Sequence, residues 1–398
     1  MNVLVLNCGS SSIKYQLLNM DAQPVLLAKG IVEKIGLASG SFTYKPEGKD
    51  KVVIEQPIAD HTVGMDLILK ALVDSKQGVL KSLNEINAVG HRVAHGGEYF
   101  SESVKVNEEV KAKIRTLEEI APLHNPANLK GIETMERLLP SVPQVAVFDT
   151  SFHQTLPKKA YIYGIPYEYY EKYGIRRYGF HGTSHKFVAE KACKLLGWNI
   201  NEKKIITCHL GNGASITAID KGKSVDTSMG FTPVAGLVMG TRAGDLDLGA
   251  LLYIAQKEGL DIDQTNALVN KKSGVQGISG VSSDFRELTT ASEAGNERAK
   301  LALEVFAHNV KKYIGAYTAV LNGVDLVIFT GGIGENDQPV RQAVCTDMEY
   351  LGIKLDKEIN SRTRSTDAML STPDSRTKVM AITTDEELVI AMDTVRLS

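Results

Sequence analysis

The segment Asn2-Val3-Leu4-Val5-Leu6-Asn7-Cys8-Gly9-Ser10-Ser11-Ser12-Ile13-Lys14-Tyr15-Gln16-Leu17-Leu18 decides the fold. Val3 to Leu6 is a short apolar run of the kind that forms a buried strand, and Ile13 to Leu18 predicts a second strand. The small polar residues between them then form a tight turn. Small residues let backbone N–H groups approach an anion, and Lys14 adds a mobile positive charge just behind. Alone, this is an ordinary hairpin with a polar tip. About half a chain later, however, Lys204 to His209, Leu210-Gly211-Asn212-Gly213-Ala214-Ser215 and Ile216 to Asp220 repeat the strand–turn–strand pattern. The echo predicts a duplicated architecture, and two such turns facing each other could hold a polyphosphate.

Working outward, 398 residues fit two or three domains with ample core. A net charge of −2 offers no field for nucleic acid or an anionic membrane, so an anionic ligand must be held by local charge. The four cysteines form no C-x-x-C pair, which suits a reduced chain. The N-terminus has neither a charged n-region nor an apolar h-region, and no stretch reaches membrane-spanning length. A cytoplasmic location is expected. Ile86 to Gly90 and Val145 to Phe148 read as buried strands, each separated by helical patterns, and Asp149 ends the second. Strands alternating with helices predict α/β domains with the site at strand ends. The division expected is 1–150, joined by a C-terminal helix over 385–398, and 151–384. Thr183 or Ser184 is the expected cap of a helix running to Leu196.

Gly331-Gly332-Ile333-Gly334-Glu335-Asn336 reads as a turn between a strand and a helix, able to bind an anion or pack a nucleotide. It is no dinucleotide fingerprint, because Asp337 replaces the third glycine of G-x-G-x-x-G; the Gly211 turn fails likewise at Ile216. Gly222-Lys223-Ser224 fails as a P-loop, because Thr217 stands where the first glycine is required. Arg92 and Arg242 both lie in glycine-flanked loops, where paired guanidiniums would suit carboxylate and phosphoryl oxygens. The His91/His95 and His181/His185 spacings are helical, but flanking glycines and the lack of H-E-x-x-H argue against zinc. Asp149 and Glu386 sit at strand-to-loop junctions that suit magnesium or its waters, or a helix cap.

With these residues in hand, the chain resembles the acetokinase family of the actin/Hsp70/sugar-kinase superfold. The resemblance runs nearly end to end. It rests on Asn7 to Lys14, His91 to Gly97, Ala121 to Pro126, Phe148-Asp149-Thr150, Gly179 to His185, His209 to Gly213, Met239 to Arg242, Gly332 to Asn336 and Thr384 to Leu388. It implies an α/β fold of two duplicated actin-like (ribonuclease H-like) domains with a central cleft. It also implies reversible, ATP-dependent phosphorylation of acetate to acetyl phosphate and ADP, with Mg2+ (or Mn2+), usually in a homodimer.

The same resemblance assigns residues. Ser10, Ser12, Lys14 and His209-Leu210-Gly211-Asn212-Gly213 would lie on the nucleotide phosphates. Asp284-Phe285-Arg286 and Gly332-Ile333-Gly334-Glu335-Asn336 would take the adenosine. Arg92 and Arg242 would hold the carboxylate and the transferring phosphoryl, and His181 would donate to it. Asp149 would be the active-site carboxylate, with Asn7 and Glu386 at the metal. Ala94, Leu123, Phe180 and Pro233 would form the acyl pocket. Valine is more usual at position 94 in this family, so Ala94 predicts tolerance for propionate, by about 1–3 kcal/mol of discrimination. A carboxylate acceptor is already ionised at neutral pH and needs no base, so Asp149 is better cast as orienting an arginine or a metal water. The rivals are a propionate or butyrate kinase, a sugar kinase and a non-catalytic ATP switch on the same superfold.

Overall fold

The computed structural model describes residues 1–398. The chain divides into two compact units, Met1–Ser151 with Asp385–Ser398, and Phe152–Thr384. No helix is long and apolar enough to cross a membrane. All four cysteines are buried thiols.

The first unit carries strands β1 (Asn2–Cys8), β2 (Ser12–Asn19), β3 (Val25–Glu33), β4 (Ser41–Pro46), β5 (Val52–Glu55), β6 (Ile86–Val93), β7 (Val104–Lys105) and β8 (Gln144–Phe148). They form one sheet in the order β5-β4-β3-β2-β1-β6-β8-β7. The hairpin expected around Gly9 is present, with β1 and β2 antiparallel and Asn7 opposite Lys14. β1, β6 and β8 run parallel, so their C-terminal ends lie side by side.

Period-two alternation sends successive side chains to opposite faces of this sheet. Leu4 and Leu6 pack with Met65 and Ile68 of the helix His61–Leu72 on one face. Val3, Val5, Val145 and Val147 pack on the other against Ile390 and Ala391 of the C-terminal helix Glu386–Leu397. Each of these side chains larger than alanine contributes about 1.5–3 kcal/mol of burial. Gly90 of β6 lets that helix come close. A Cβ there would lie 2.4 Å from Thr394 Oγ1 and 2.7 Å from Ile390 Cγ2.

The second unit contains β9 (Lys204–Leu210), β10 (Ala214–Asp220), β11 (Lys223–Thr227), β12 (Leu326–Thr330), β13 (Ala368–Met369) and β14 (Lys378–Ala381). Their order is β11-β10-β9-β12-β14-β13. The duplication is explicit, because β3-β2-β1-β6-β8 and β11-β10-β9-β12-β14 share one pattern: two antiparallel pairings, then two parallel ones. Ile206, Cys208 and Leu210 face Phe306 and Ile314 of the long helix Glu297–Leu321. Ile205 and Ile219 face Val188 and Ala189 of the helix Gly182–Leu196.

Two local expectations change. The helix Gly182–Leu196 is capped by His181, not by Thr183 or Ser184, which lie within its first turn. The Gly331–Asn336 turn is itself a short helix, started by Gly331 at φ 78°. A side chain at Gly331 would also meet Leu210 O at 2.8 Å, so glycine is required twice over at that position.

Candidate active site

In the first unit, the same alternation that buries Val3, Val5, Val145 and Val147 places Asn7, Arg92 and Asp149 on the face covered by the C-terminal helix. They stand at the ends of three adjacent parallel strands, where α/β sheets hold ligands. Arg92 donates to Asp149 in two parallel bonds, Nε to Oδ1 at 3.0 Å and Nη2 to Oδ2 at 2.5 Å. Its Nη1 donates to Asn7 Oδ1 at 3.2 Å. Asp149 is 2% exposed and its N–H is tied to Val93 O, so the carboxylate is rigid. The Arg92 side chain stays a quarter exposed, with a face left for an anion.

Glu386 begins the C-terminal helix, whose cap Asp385 accepts from Leu388 N–H. Burial, reinforced by the Asp149 charge, pushes its carboxyl up to about 7, against the pull of Arg92 and Lys14. Two carboxyl groups crowded this way are what a divalent cation relieves. Magnesium typically takes one or two protein oxygens, keeping waters and substrate phosphates for the rest. Glu386, Asp149 and Asn7 fit that habit, and the chain has no cluster of three or more acidic, histidine or cysteine side chains suited to a closed metal cage. Lys14 is exposed on β2 opposite Asn7, Ser10 is exposed at the turn and Ser12 half-buried. Ala94, buried just past β6, is held by its N–H on Asn128 Oδ1, whereas Leu123 is 54% exposed.

In the second unit, His181 occupies the left-handed region at φ 57°. That conformation costs a non-glycine residue about 1–2 kcal/mol, strain of a kind common at functional sites. Its ring stacks on His209 with centroids 4.2 Å apart. His181 and Arg242 converge over Gly213: a Cβ there would lie 3.2 Å from Arg242 Nη1, 3.6 Å from His181 Cε1 and 3.7 Å from its Nε2. The β9–β10 turn thus brings a cation and an imidazole to bare backbone, a cradle for a phosphoryl group.

Beside it, a cavity of about 910 Å3 is lined by Gly211, Asn212, Asp284, Phe285, Arg286, Gly332, Ile333 and Asn336. Arg286 donates to both oxygens of Asp284, holding that carboxyl down at about 2. Gly334 is buried and Leu210 sends its side chain into the core. Glu335 accepts the N–H groups of Gly331 and Thr384, and burial raises its carboxyl above the usual range. Phe180 is buried in the same core and Pro233 half-buried in its loop. Ser283, Thr289, Glu293, Asp337, Gln338, Pro339 and Arg364 also line the cavity and were not anticipated. Ser283 adjoins an expected residue, but nothing in the sequence near Arg364 marks it.

A sequence model of the Acetokinase family matches residues 2–392. An acetate kinase of Agathobacter rectalis is 57% identical over 397 residues, covering both chains completely. The chain belongs to the acetokinase family. Its fold is correspondingly close to the crystal structure of Porphyromonas gingivalis acetate kinase, with a TM-score of 0.96 at 51% identity over 100% of this chain and 99% of that one. The crystal structure of a propionate kinase from Francisella tularensis matches at TM-score 0.92 and 42% identity over the full length of both chains. The family match thus spans both units; Leu123, exposed, and Pro233, half-buried in its loop, join neither side-chain cluster nor the cavity lining.

Proposed function

We propose that this chain is an acetate kinase, moving the γ-phosphoryl group of ATP reversibly to acetate to give acetyl phosphate and ADP. Beyond the full-length kinship, one observation carries the reading. Both oxygens of Asp149 are engaged by Arg92, so Asp149 orients an arginine and is not poised to take a proton. An alcohol-phosphorylating sugar kinase needs a free carboxylate base; a carboxylate acceptor does not.

Arg92 then presents its exposed edge to the acetate carboxylate, and Lys14 adds charge beside it. Arg242 and the His181 ring bracket the transferring phosphoryl at Gly213. The cavity beside them takes the nucleoside, with Arg286 at its mouth. Asn7 and Glu386, beside Asp149, would hold magnesium. When bound, the ion would offset charge on the phosphate oxygens. The difficulty of the reaction is anion meeting anion, so these residues act by alignment and charge neutralisation. Ala94, with alanine in place of the bulkier residue, leaves room for propionate as a second acceptor.

The helix Leu248–Glu258 supports a homodimer. It buries none of its residues, and Leu248, Leu252, Tyr253 and the nearby Ile262 are 73, 70, 61 and 87% exposed. An apolar helix left this bare fits a second copy of the same chain.

Acyl hydroxamate formation from ATP with acetate, propionate and butyrate tests the reading. Acetate-dependent product supports it, and ATP turnover indifferent to any carboxylate refutes it in favour of an ATP switch.

A further inference from the structure

The face of the second sheet that packs on the helix Gly182–Leu196 is apolar at Ile205 and Ile219 but polar between them. Antiparallel pairing sets Thr207 opposite Thr217 and His209 opposite Ser215, so these polar side chains share that face. A hydrogen-bonded chain runs across it. Thr207 Oγ1 lies 2.6 Å from His185 Nδ1, His185 Nε2 lies 2.7 Å from Ser215 Oγ, and Ser215 Oγ lies 2.9 Å from His181 Nδ1. Thr207, His185 and Ser215 are each 0% exposed.

Counting protons fixes the direction of this chain. Burial, with His153 and His209 nearby, holds the His185 ring far below its ordinary pKa, so it is neutral and carries one N–H. Were that proton on Nδ1, it would donate to Thr207, whose buried hydroxyl makes its one hydrogen bond to His185, and the hydroxyl proton would have no acceptor. An unmatched buried donor carries a substantial desolvation cost. With the proton on Nε2, every group is matched. Thr207 donates to His185 Nδ1, His185 Nε2–H donates to Ser215 Oγ, and Ser215 donates to His181 Nδ1. The His181 proton then sits on Nε2, the nitrogen 3.7 Å from the position of a Gly213 Cβ.

We propose that Thr207, His185 and Ser215 form a polarised relay that fixes His181 as the Nε2–H tautomer, so that it presents a hydrogen-bond donor over Gly213 before substrate arrives. Ser215 and His185 are positioning residues, acting through His181. The inference rests on the reading of His181 as a phosphoryl donor only for its effect on rate. The tautomer itself is independent of that reading.

The test is a long-range 1H–15N spectrum of the full-length protein carrying 15N-labelled histidine, at a pH about two units above the ordinary histidine value. The His181 signals are identified by their loss in His181→Gln. The relay requires an unprotonated Nδ1 and a protonated Nε2. A proton on Nδ1 overturns it, whatever the Ser215 variants do. Ser215→Ala should populate both tautomers and lower kcat by about 10- to 100-fold, with KM for ATP and acetate within about threefold, whereas Ser215→Thr restores the rate. Wild-type kcat in Ser215→Ala, while His181→Gln is crippled, refutes the relay. Wild-type kcat in His181→Gln instead refutes the role of His181 and leaves the spectrum to judge the relay.

Discussion

Replacing Asp149 by asparagine separates an arginine-orienting carboxylate from a proton acceptor. The substitution keeps size and one acceptor oxygen but removes the charge that grips Arg92 through bonds of 3.0 and 2.5 Å at a site 2% exposed. Charge-assisted bonds contribute about 1.5–3 kcal/mol each. One is lost outright and the other weakened, so Arg92 loses roughly 2–4 kcal/mol of positioning. Expressed in the transition state, that lowers kcat/KM for acetate by about 30- to 1,000-fold. ADP affinity, which the proposed function assigns to the cavity of the second unit, should stay within about twofold. The assay is initial-rate kinetics at varied acetate with ADP titrated separately by calorimetry. A proton acceptor would show instead a loss confined to kcat, with the acidic limb of the pH–rate profile abolished. That outcome, or a kcat/KM within threefold of wild type, would refute the reasoning.

Other outcomes follow from the same geometry. Ala94→Val should reduce the propionate-to-acetate ratio of kcat/KM by about 10-fold; a steep acetate preference untouched by the change would contradict the pocket assignment. Glu386 has its carboxyl raised to about 7 from an ordinary 4.5. Between those values the folded state holds a proton that the unfolded chain releases, so stability falls as pH rises through this window and the full penalty stands above 7. Glu386→Gln should therefore raise the Tm of the metal-free protein at pH 8 by about 2–4 °C and leave it unchanged at pH 4, as read by scanning calorimetry. Leu252→Lys should turn a dimer into a monomer in sedimentation velocity while the monomer remains folded.

Much of the fold was legible because period-two and helical patterns are local. The Val3–Leu6 run, its echo at Lys204–His209 and the strand before Asp149 are all present in the structure, whereas Arg92, expected in a loop, lies inside β6, which pairs with β8 as far as Val93. The site was legible as residue types but less so as contacts. Asn7 was expected at the metal, yet its oxygen also accepts from Arg92 across 85 residues of sequence, a pairing set by strand order and invisible to any local motif. The serine at 184 looked like a helix cap because it precedes an amphipathic run. Its hydroxyl instead bonds His209 Nδ1 and Thr384 Oγ1, because the chain turns left-handed at His181 and starts the helix earlier. Arg364 reaches the cavity from beyond the short helix Lys357–Arg362, and an isolated arginine in a polar loop carries no such signal. Ser215 was read as part of a phosphate turn, whereas its side chain is buried under the helix beside His185.

By the proposed function, Arg92 neutralises the acetate carboxylate and Arg242 the transferring phosphoryl. The most direct measurement is kcat/KM for acetyl phosphate formation in Arg92→Ala and Arg242→Ala, each checked for folding and for ADP binding. An arginine that neutralises a transferring phosphoryl is worth about 10³–10⁵ in rate, so Arg242→Ala should lose at least about 10³-fold, and Arg92→Ala, which leaves the acceptor anion unpaired, about 10²-fold or more, each while still binding ADP. Activity near wild type in either variant would contradict the account.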